Sequence, residues 1–333
     1  MSDDQWREDE PSAPRRPPAE SSKEWRLIEK ALLAGIGEQR RARRWGIFFK
    51  FLTFGYLFVL LGLFSRSTHL DEKVGVAGRH TALIDVQGVI AEGEEAQADS
   101  IVTALRSAFD EKHVAGIVLR INSPGGSPVQ AGYVYDEIKR LRALHPQVKV
   151  YAVIADIGAS GAYYIAAAAD QIYADKASLV GSIGVVSSSF GFVDALKKLG
   201  VERRLFTSGE HKGFLDPFSP LNPQEQAYWQ QVLDVTHRQF IEQVKAGRGS
   251  RLNSEKSDLL FSGLVWSGEQ ARELGLIDGL GSPGYVAREV IGAEQIVNYT
   301  EKPTPFEKLA RKMESRLDGA ALTSDLFRTL PGW

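Results

Sequence analysis

An apolar stretch near the amino terminus, residues 45–64, constrains this chain most strongly. It is about 20 residues long, near the length that a helix needs to cross a bilayer, and Lys50 is its only charge. Lys50 lies close to the basic end, so its ammonium group can reach the headgroups. The stretch has no polar face, which disfavours a helix on the surface of a soluble core. We therefore predict a transmembrane signal anchor over residues 45–65.

Charges on either side of this stretch predict its orientation. Four arginines fall within residues 40–44, whereas Arg66 and Lys73 follow the stretch. Positive charge favours the cytoplasmic side, so we expect the amino terminus in the cytoplasm and the folded domain outside it. A cleaved signal peptide would need a shorter polar head and an A-x-A-like site after the apolar run, and neither is present.

Composition divides the rest of the chain. Residues 1–44 are a polar head, partly disordered because its Pro-rich start is poor in apolar residues, with a short amphipathic helix over residues 24–37. Residues 66–79 are expected to be a linker, residues 80–300 a folded domain and residues 301–333 a tail. The net charge of −2 offers no basic field for nucleic acid. Cysteine is absent, which excludes disulfides, thiolate metal sites and a cysteine nucleophile.

From residue 80 onward, strands alternate with helices, which favours an α/β fold with mainly parallel strand pairing. The predicted strands cover residues 81–86, 116–121, 148–154, 171–174, 180–186 and 202–207, and the predicted helices cover residues 98–112, 128–144, 160–169, 189–199 and 223–246. A polar, proline-bearing loop is expected over residues 208–223. Ser267 and Gln270 predict a capping box that opens a further helix, and Gly275 closes it.

The first chemically informative cluster is Asn-Ser-Pro-Gly-Gly at residues 122–126, between a predicted strand and a predicted helix. Paired glycines can present backbone N–H groups without a Cβ in the way, and such groups stabilise an oxyanion. The same residues also make an ordinary strand-to-helix turn. The local sequence leaves both interpretations open.

The second cluster places Ser160 between Gly158 and Gly161, at the start of an Ala-rich helix. A serine there faces the positive end of the helix dipole, and the N–H of Gly161 is free to face a reacting carbonyl. A simple N-cap explains Ser160 equally well. The G-x-S-x-G pattern of nucleophile elbows fails, because Ala162 stands where the second glycine is required.

A nucleophilic Ser160 would need a base. Six histidines are available: His69 and His80 in the predicted linker, His113 and His145 in predicted surface turns, and His211 and His237. None of them has an apolar, glycine-framed setting. Lys212, in a glycine-flanked loop, is the other candidate if burial keeps its amine neutral, although a single loop lysine is ordinarily a solvated charge.

Five segments together resemble the signal peptide peptidase A family, the Ser–Lys peptidases of bacterial inner membranes. They are residues 122–126, 158–164, 181–185, 208–212, and 266–271 with 275–278. Their order and spacing extend the resemblance over roughly residues 80–285. The first segment alone is shared with Clp protease subunits and the wider crotonase-like fold. The resemblance implies a Clp/crotonase-like spiral of β-β-α units, an α/β fold preceded here by one transmembrane helix.

The resemblance also implies a role for each matching residue. Ser160 corresponds to the nucleophile, Lys212 to the general base, Ser182 to a serine that orients the lysine amine, Gly125 and Gly161 to the oxyanion hole, and Gly126 to the turn beside it. No metal or other cofactor is implied. Apolar pockets are implied, which suit the hydrophobic core of a leftover signal peptide as substrate.

Taken with the length of the chain, the resemblance also implies which subunit supplies the lysine. In double-length members of the family the lysine and the serine come from different halves, and this chain is single-length. Lys212 is therefore expected to serve Ser160 of a neighbouring subunit in a ring-shaped homo-oligomer, an octamer, with the catalytic domain on the outer side of the bacterial inner membrane. The rival expectations are a crotonase-type acyl-CoA enzyme and an anchored scaffold with an inactive site.

Overall fold

The computed structural model describes residues 21–70 and 78–300. One unit of the chain contains a single helix, α1 (Ser21–Leu70), in which Arg43–Gly62 is long and apolar enough to cross a membrane by length and composition alone. The helix is continuous, so the predicted short helix at residues 24–37 and the predicted anchor are not separate elements. Residues 38–44 are all good helix formers, which explains the continuity. The linker predicted from residue 66 begins no earlier than the end of α1.

Three predicted parts of the chain lie partly or wholly outside the described residues. They are residues 1–20 of the polar head, residues 71–77 of the linker and the tail at residues 301–333.

The second unit is built on an eight-stranded sheet in the order β6-β5-β3-β2-β1-β8, with β4 pairing with β3 and β7. The strands are β1 (His80–Gln87), β2 (Val114–Ser123), β3 (Lys149–Ala159), β4 (Gln171–Ala174), β5 (Leu179–Gly181), β6 (Val265–Ser267), β7 (Gly279–Leu280) and β8 (Ile296–Asn298). Every pairing is parallel except that of β5 with β6. The predicted α/β class with mainly parallel pairing is confirmed.

Helices connect the strands. They are α2 (Ala98–Asp110), α3 (Pro128–Leu144), α4 (Gly161–Ala166), α5 (Val193–Lys198), α6 (Pro223–Arg248), α7 (Ser257–Leu260), α8 (Gly268–Glu273) and α9 (Pro283–Tyr285), which continues into a π-helical segment, Val286–Ile291. The bounds of α3 are those predicted, because Ser127 caps its start and Val134, Ile138 and Leu141 form one buried face. The capping box at Ser267 is present in α8.

Strand β3 pairs with one strand along its earlier part and with another at its carboxyl end. Its first half pairs with β4, and its last three residues, 157–159, pair with β5. The predicted strand ends at residue 154, five residues before the observed end, because Asp156 and Gly158 are poor strand formers. The extension matters because it carries the chain directly to Ser160.

The largest error of prediction falls on residues 182–222, which we call the arm. The predicted strand at residues 202–207 is absent, β5 stops at Gly181 instead of residue 186, and α5 is the arm's α-helix. Extended backbone needs a neighbouring strand for its hydrogen bonds, and the described residues offer none to these segments. Ile183 is the arm's only buried residue. The arm exposes large apolar side chains: Val186, Phe190, Phe192, Leu199, Val201, Leu205, Phe206, Phe218 and Leu221.

Candidate active site

Ser160, the predicted nucleophile, stands in a sharp turn between β3 and α4. Its backbone has φ 53° and ψ −125°, a combination that residues other than glycine seldom adopt. Ser160 N–H donates to the carbonyl oxygen of Gly181 (2.8 Å), and the Ser160 carbonyl accepts from Tyr164 N–H (3.0 Å). Such a conformation costs about 1–3 kcal/mol and persists only where its surroundings hold it, as they often do at functional sites.

The glycine pair at residues 125–126 lies directly against this turn. A side chain on Gly125 would place its Cβ 2.7 Å from the carbonyl oxygen of Ala159 and 2.8 Å from both the Gly161 nitrogen and Ser160 Cβ. These distances are far inside van der Waals contact, so only glycine permits the approach. The glycine loop and the Ser160 turn therefore meet backbone against backbone.

The two glycines direct their N–H groups differently. Gly125 N–H donates to the Oγ of buried Ser123 (3.1 Å). Gly126 forms a parallel bridge with Ile90. In this bridge the Ile90 N–H donates to the Gly125 carbonyl and the Ile90 carbonyl accepts from Ser127 N–H, so the N–H of Gly126 points away from Ile90. Among the described residues, the N–H groups of Gly126 and Gly161 have no hydrogen-bond partner. The free pair of donors is thus Gly126 and Gly161, whereas sequence analysis assigned Gly125 and Gly161.

A cavity of about 160 Å³ opens beside Ser160. Its walls include Tyr164 from α4, Phe240 from α6 and Val185 and Val186 from the arm. The rings of Tyr164 and Phe240 pack with their centroids 5.1 Å apart, and burial raises the pKa of the Tyr164 phenol, which keeps it neutral. An apolar group fits these walls, and the two glycines with free N–H groups also line the cavity.

Ser182, predicted to orient the lysine amine, follows the residue whose carbonyl holds Ser160. It also has a positive φ, 51°, and its N–H donates to the carbonyl oxygen of Leu264 (2.8 Å). The Trp266 ring packs over Gly181 so closely that a Cβ there would lie 2.9 Å from the indole. Ser160 and Ser182 are thus both fixed around Gly181.

Lys212 lies elsewhere in the chain. It sits in an exposed turn of the arm, and its side chain makes no hydrogen bond or ion pair with any residue that the structure describes. Phe214 packs this turn against Trp229 on α6, at 5.9 Å between ring centroids. Thr236, the first cavity residue on α6, lies two helical turns beyond Trp229, or about 10 Å along the axis. Within one chain, the structure does not bring Lys212 to Ser160.

Two histidines make structural hydrogen bonds, and one of them, His80, differs from expectation. His80 is not in the linker: it is buried at the start of β1, where its Nε2 shares a hydrogen bond with the Tyr299 hydroxyl (2.9 Å). It lies at the amino edge of the parallel strands, opposite the edge that carries Ser160. His237 on α6 shares a hydrogen bond with the Ile183 carbonyl (3.1 Å) and so attaches the start of the arm.

Asn122 is a site residue to which sequence analysis gave no role. Its Nδ2 donates to Asp156 (3.0 Å), and its Oδ1 accepts from Ile157 N–H (3.3 Å). These bonds span the register shift between β2 and β3, where the extra residues of β3 bulge outward. Asn122 therefore fixes the part of β3 that ends at Ser160. The Asn-Ser-Pro-Gly-Gly motif contained this signal, but the contact is visible only in three dimensions.

Comparison with known proteins identifies the family. The profile of peptidase family S49 matches residues 142–295, and the Clp protease profile matches residues 81–178. The Synechocystis sp. protein slr0021, named as a protease, is 36% identical over 201 residues, which are 60% of this chain and 69% of that protein. This chain belongs to peptidase family S49. The predicted resemblance and the Clp-like α/β domain are both confirmed.

Other relatives of this S49 family member match over smaller shares of their length. The chloroplastic serine protease SPPA of Arabidopsis thaliana is 30% identical over 223 residues, 66% of this chain and 32% of that protein. A Brucella melitensis protein named Na(+)/H(+) antiporter NhaA is 47% identical over 188 residues, 56% of this chain. The chain spans only 25% of the length of that Brucella protein.

The described residues of this S49 family member contain no group of three or more His, Asp or Glu side chains that could hold a metal ion. At the site, the structure brings together the Ser160 hydroxyl, two free backbone N–H donors and a cavity with partly apolar walls.

Proposed function

We propose that this S49 family member is a membrane-anchored serine endopeptidase in which Ser160 attacks the peptide carbonyl. One observation carries the proposal: Ser160 is held in a strained turn beside the unpaired N–H groups of Gly126 and Gly161, at the mouth of an apolar cavity. Preorganised N–H donors of this kind stabilise the oxyanion of acyl transfer, and each contributes about 10²–10³ in rate.

The proposed reaction uses the Ser160 hydroxyl, the two glycine N–H groups and a lysine amine as the base. A neutral lysine amine takes the proton of the Ser160 hydroxyl while Oγ bonds to the scissile carbonyl carbon, and the oxyanion lies against the Gly126 and Gly161 N–H groups. The lysine ammonium then returns the proton to the leaving amine as the C–N bond breaks. Water, deprotonated by the same lysine, hydrolyses the acyl-enzyme and regenerates Ser160.

We assign the base to Lys212 of a neighbouring copy. A lysine acts as a base only when it is withdrawn from water, and Lys212 is exposed in the single chain. The apolar side chains of the arm are also exposed, notably Phe206 (91%) and Val186 (89%). Exposed large apolar side chains favour association when they cluster on a surface. A homo-oligomer, for which family resemblance gives an octamer, would cover the arm and bring Lys212 to Ser182 and Ser160 of the next subunit.

The expected substrates and location follow from two further features. The cavity beside Ser160 has apolar walls, which suit the hydrophobic core of leftover signal peptides. The apolar part of α1, Arg43–Gly62, would anchor the chain in the bacterial inner membrane, with the arginines of residues 40–44 in the cytoplasm and the catalytic domain outside.

Mixed variants of the full chain in detergent test the proposal. We expect Ser160→Ala and Lys212→Ala each to abolish hydrolysis of an apolar fluorogenic peptide, since loss of one member of a catalytic pair costs roughly 10⁴–10⁶ in rate. Coassembled in equal amounts, the two variants should recover activity, because some interfaces join an intact Ser160 to an intact Lys212.

Three outcomes would correct the proposal. An inactive mixture that still coassembles would place the pair within one chain. An active Lys212→Ala variant would identify another base. A Ser160→Ala variant with full activity would mean that Ser160 is not the nucleophile, whereas wild type that neither hydrolyses the peptide nor reacts with a serine-directed fluorophosphonate would favour a crotonase-type acyl-CoA enzyme or an inactive scaffold.

A further inference from the structure

Backbone strain marks a third position besides Ser160 and Ser182. Within residues 21–70 and 78–300, the non-glycine residues with positive φ are Ser160 (53°), Ser182 (51°) and Leu215 (54°). Leu215 belongs to the turn that carries Lys212. Residues held in this region of backbone space persist only where surrounding contacts impose it, and they concentrate at functional sites. The contacts that hold Leu215 in this backbone conformation therefore indicate how the Lys212 turn is fixed.

The carboxylates of Glu225 and Asp216 hold the part of the turn that follows Lys212. The N–H of Leu215 donates to Glu225 Oε2 (3.3 Å), in the first turn of α6. The next residue, Asp216, accepts from the Ser219 hydroxyl (2.8 Å) and from Phe218 N–H (3.5 Å). These bonds close a turn that begins at Asp216, four residues after Lys212.

Asp216 also connects this turn to the preceding segment of the arm. Arg203 reaches both carboxylate oxygens with Nε and Nη2, each at 3.4 Å, and its guanidinium lies 5.5 Å from the centre of the Phe218 ring. The Asp216 side chain is only 10% exposed, although the arm around it is open to solvent. The Ser219 hydroxyl and Arg203 together hold the pKa of Asp216 below its usual value, so the carboxylate stays charged.

We propose that Asp216 is a positioning residue for Lys212: its carboxylate, held by Arg203 and Ser219, fixes the turn so that the amine is presented to the neighbouring site. The inference rests on the proposed function, because it requires Lys212 to be the base. Asp216 acts through the turn and touches no reacting atom. The Arg203 contact ties the segment around residues 201–205 to the turn that carries Lys212.

The first test is Asp216→Asn in the full chain. Asparagine keeps the shape and can still accept from Ser219, but it loses the charge that holds Arg203. Misplacing a catalytic group by about 1 Å costs up to about 10²-fold, so we expect kcat to fall about 10- to 100-fold. The KM should stay within threefold, and the unfolding midpoint and oligomer size should not change. Arg203→Gln should have the same effect, and the double variant should be no worse than either single one.

The matched control is Glu202→Gln, one residue before Arg203. Glu202 pairs with Arg204 at 2.9 Å, but both side chains are more than 70% exposed. An ion pair so exposed contributes little, so activity should stay within twofold of wild type.

Complementation separates positioning from a general structural defect. Asp216→Asn is placed either in the Ser160→Ala chain, which donates the intact Lys212, or in the Lys212→Ala chain, which donates the intact Ser160. We expect the first mixture to lose activity about 10- to 100-fold and the second to keep it. Equal losses in the two mixtures, or a single Asp216→Asn variant with wild-type kcat, would overturn the inference.

The design also distinguishes the two proposals. An active Lys212→Ala variant contradicts the assigned base and with it the role of Asp216. An inactive Lys212→Ala variant together with wild-type kcat in Asp216→Asn contradicts the positioning role alone. Should the parental mixture be inactive, the kcat of the single Asp216→Asn variant decides.

Discussion

The two halves of the candidate machinery are built in opposite ways. Ser160, Gly126 and Gly161 belong to what we call the sheet body, residues 80–181 and 240–300, where backbone meets backbone and the surroundings are buried. Lys212 belongs to the arm, residues 182–222, where Ile183 is the only buried residue. Ser160, the proposed nucleophile, is held by contacts within a single chain, while Lys212, the proposed base, is exposed to solvent.

The contrast shows that one region takes its conformation from a buried core and the other takes it from a few local contacts. The sheet body obtains its geometry from its own core, so the Ser160 turn can hold a strained conformation. The arm has few contacts of its own and is held by local devices such as the Asp216 cluster. If Lys212 comes from a neighbouring subunit, as proposed, an unassembled subunit would be inert.

A methyl group in the glycine loop should have the largest effect. In Gly126→Ala the Cβ would lie 2.2 Å from the carbonyl oxygen of Ile90, so the loop must shift and its N–H must leave the site. We expect kcat/KM to fall by about 10²–10³, measured with the fluorogenic peptide.

The corresponding change in the arm is Gly191→Ala, where no atom lies within 4 Å of the added Cβ. Its urea unfolding midpoint should equal that of wild type. A tolerated methyl at Gly126 would break the comparison, since it would show that the loop beside Ser160 is as loosely held as the arm.

The same contrast explains what sequence could predict. Strand β1 and helix α3 were predicted well because their periodic apolar residues meet a core in the same chain. The strand at residues 202–207 was predicted from residues of similar type, but the described chain gives it no neighbour to pair with. Pattern alone does not reveal whether the partner of a segment is present.

Within the site, the family resemblance implies that Ser160 and the glycine loop act together, and the structure places them in contact, but the resemblance does not tell Gly125 from Gly126. Both are glycines in the same motif, and the difference depends on where Ser123 Oγ and the backbone of Ile90 lie. These contacts come from separate elements, so no local pattern encodes them.

The next largest effect concerns the stability of the sheet body. Asp278 binds Arg248, which is 1% exposed, at 2.6 Å, and also accepts from Ile172 N–H (2.7 Å). Burial raises the pKa of Asp278, but Arg248, the Ile172 N–H and Arg251 together outweigh it, so the pKa of this carboxyl is lowered. Asp278→Asn would leave a buried guanidinium uncompensated, so the free energy of unfolding in urea should fall by about 3 kcal/mol.

Glu289→Gln provides the matched control. Its pair with Arg288 has a similar distance, 2.7 Å, but both side chains are 52% exposed. The expected change in unfolding free energy is below about 0.5 kcal/mol. Equal effects of the two variants would mean that the sheet body gains nothing from its buried pair.

Acid should weaken the sheet body through Glu137 on α3. Its carboxylate binds Arg140 and Arg106, each at 2.7 Å, and these guanidinium groups lower the pKa of Glu137 from 4.5 to about 2. Since the folded state holds the proton less tightly, the stabilisation is complete above pH 4.5 and disappears as the pH falls towards 2.

Glu137→Gln should therefore lower the unfolding free energy at pH 7 by about 1 kcal/mol, because both arginines are half exposed and solvent screens them. The difference from wild type should shrink below pH 4.5 and vanish near pH 2. A difference that stays constant across this range would attribute the loss to packing and not to charge.

The smallest effect on folding should come from the arm, and it sharpens the comparison most. Phe206 is 91% exposed, so Phe206→Ser removes almost no buried surface from the single chain, and the unfolding free energy of the monomer should change by less than about 0.5 kcal/mol. The same side chain would be covered in the proposed assembly, so oligomer size, measured by analytical ultracentrifugation in detergent, should shift to smaller species, and activity should fall with it. An unchanged oligomer with full activity would mean that the neighbouring subunit does not contact the arm at Phe206. A destabilised monomer would mean instead that this part of the arm already packs against its own chain.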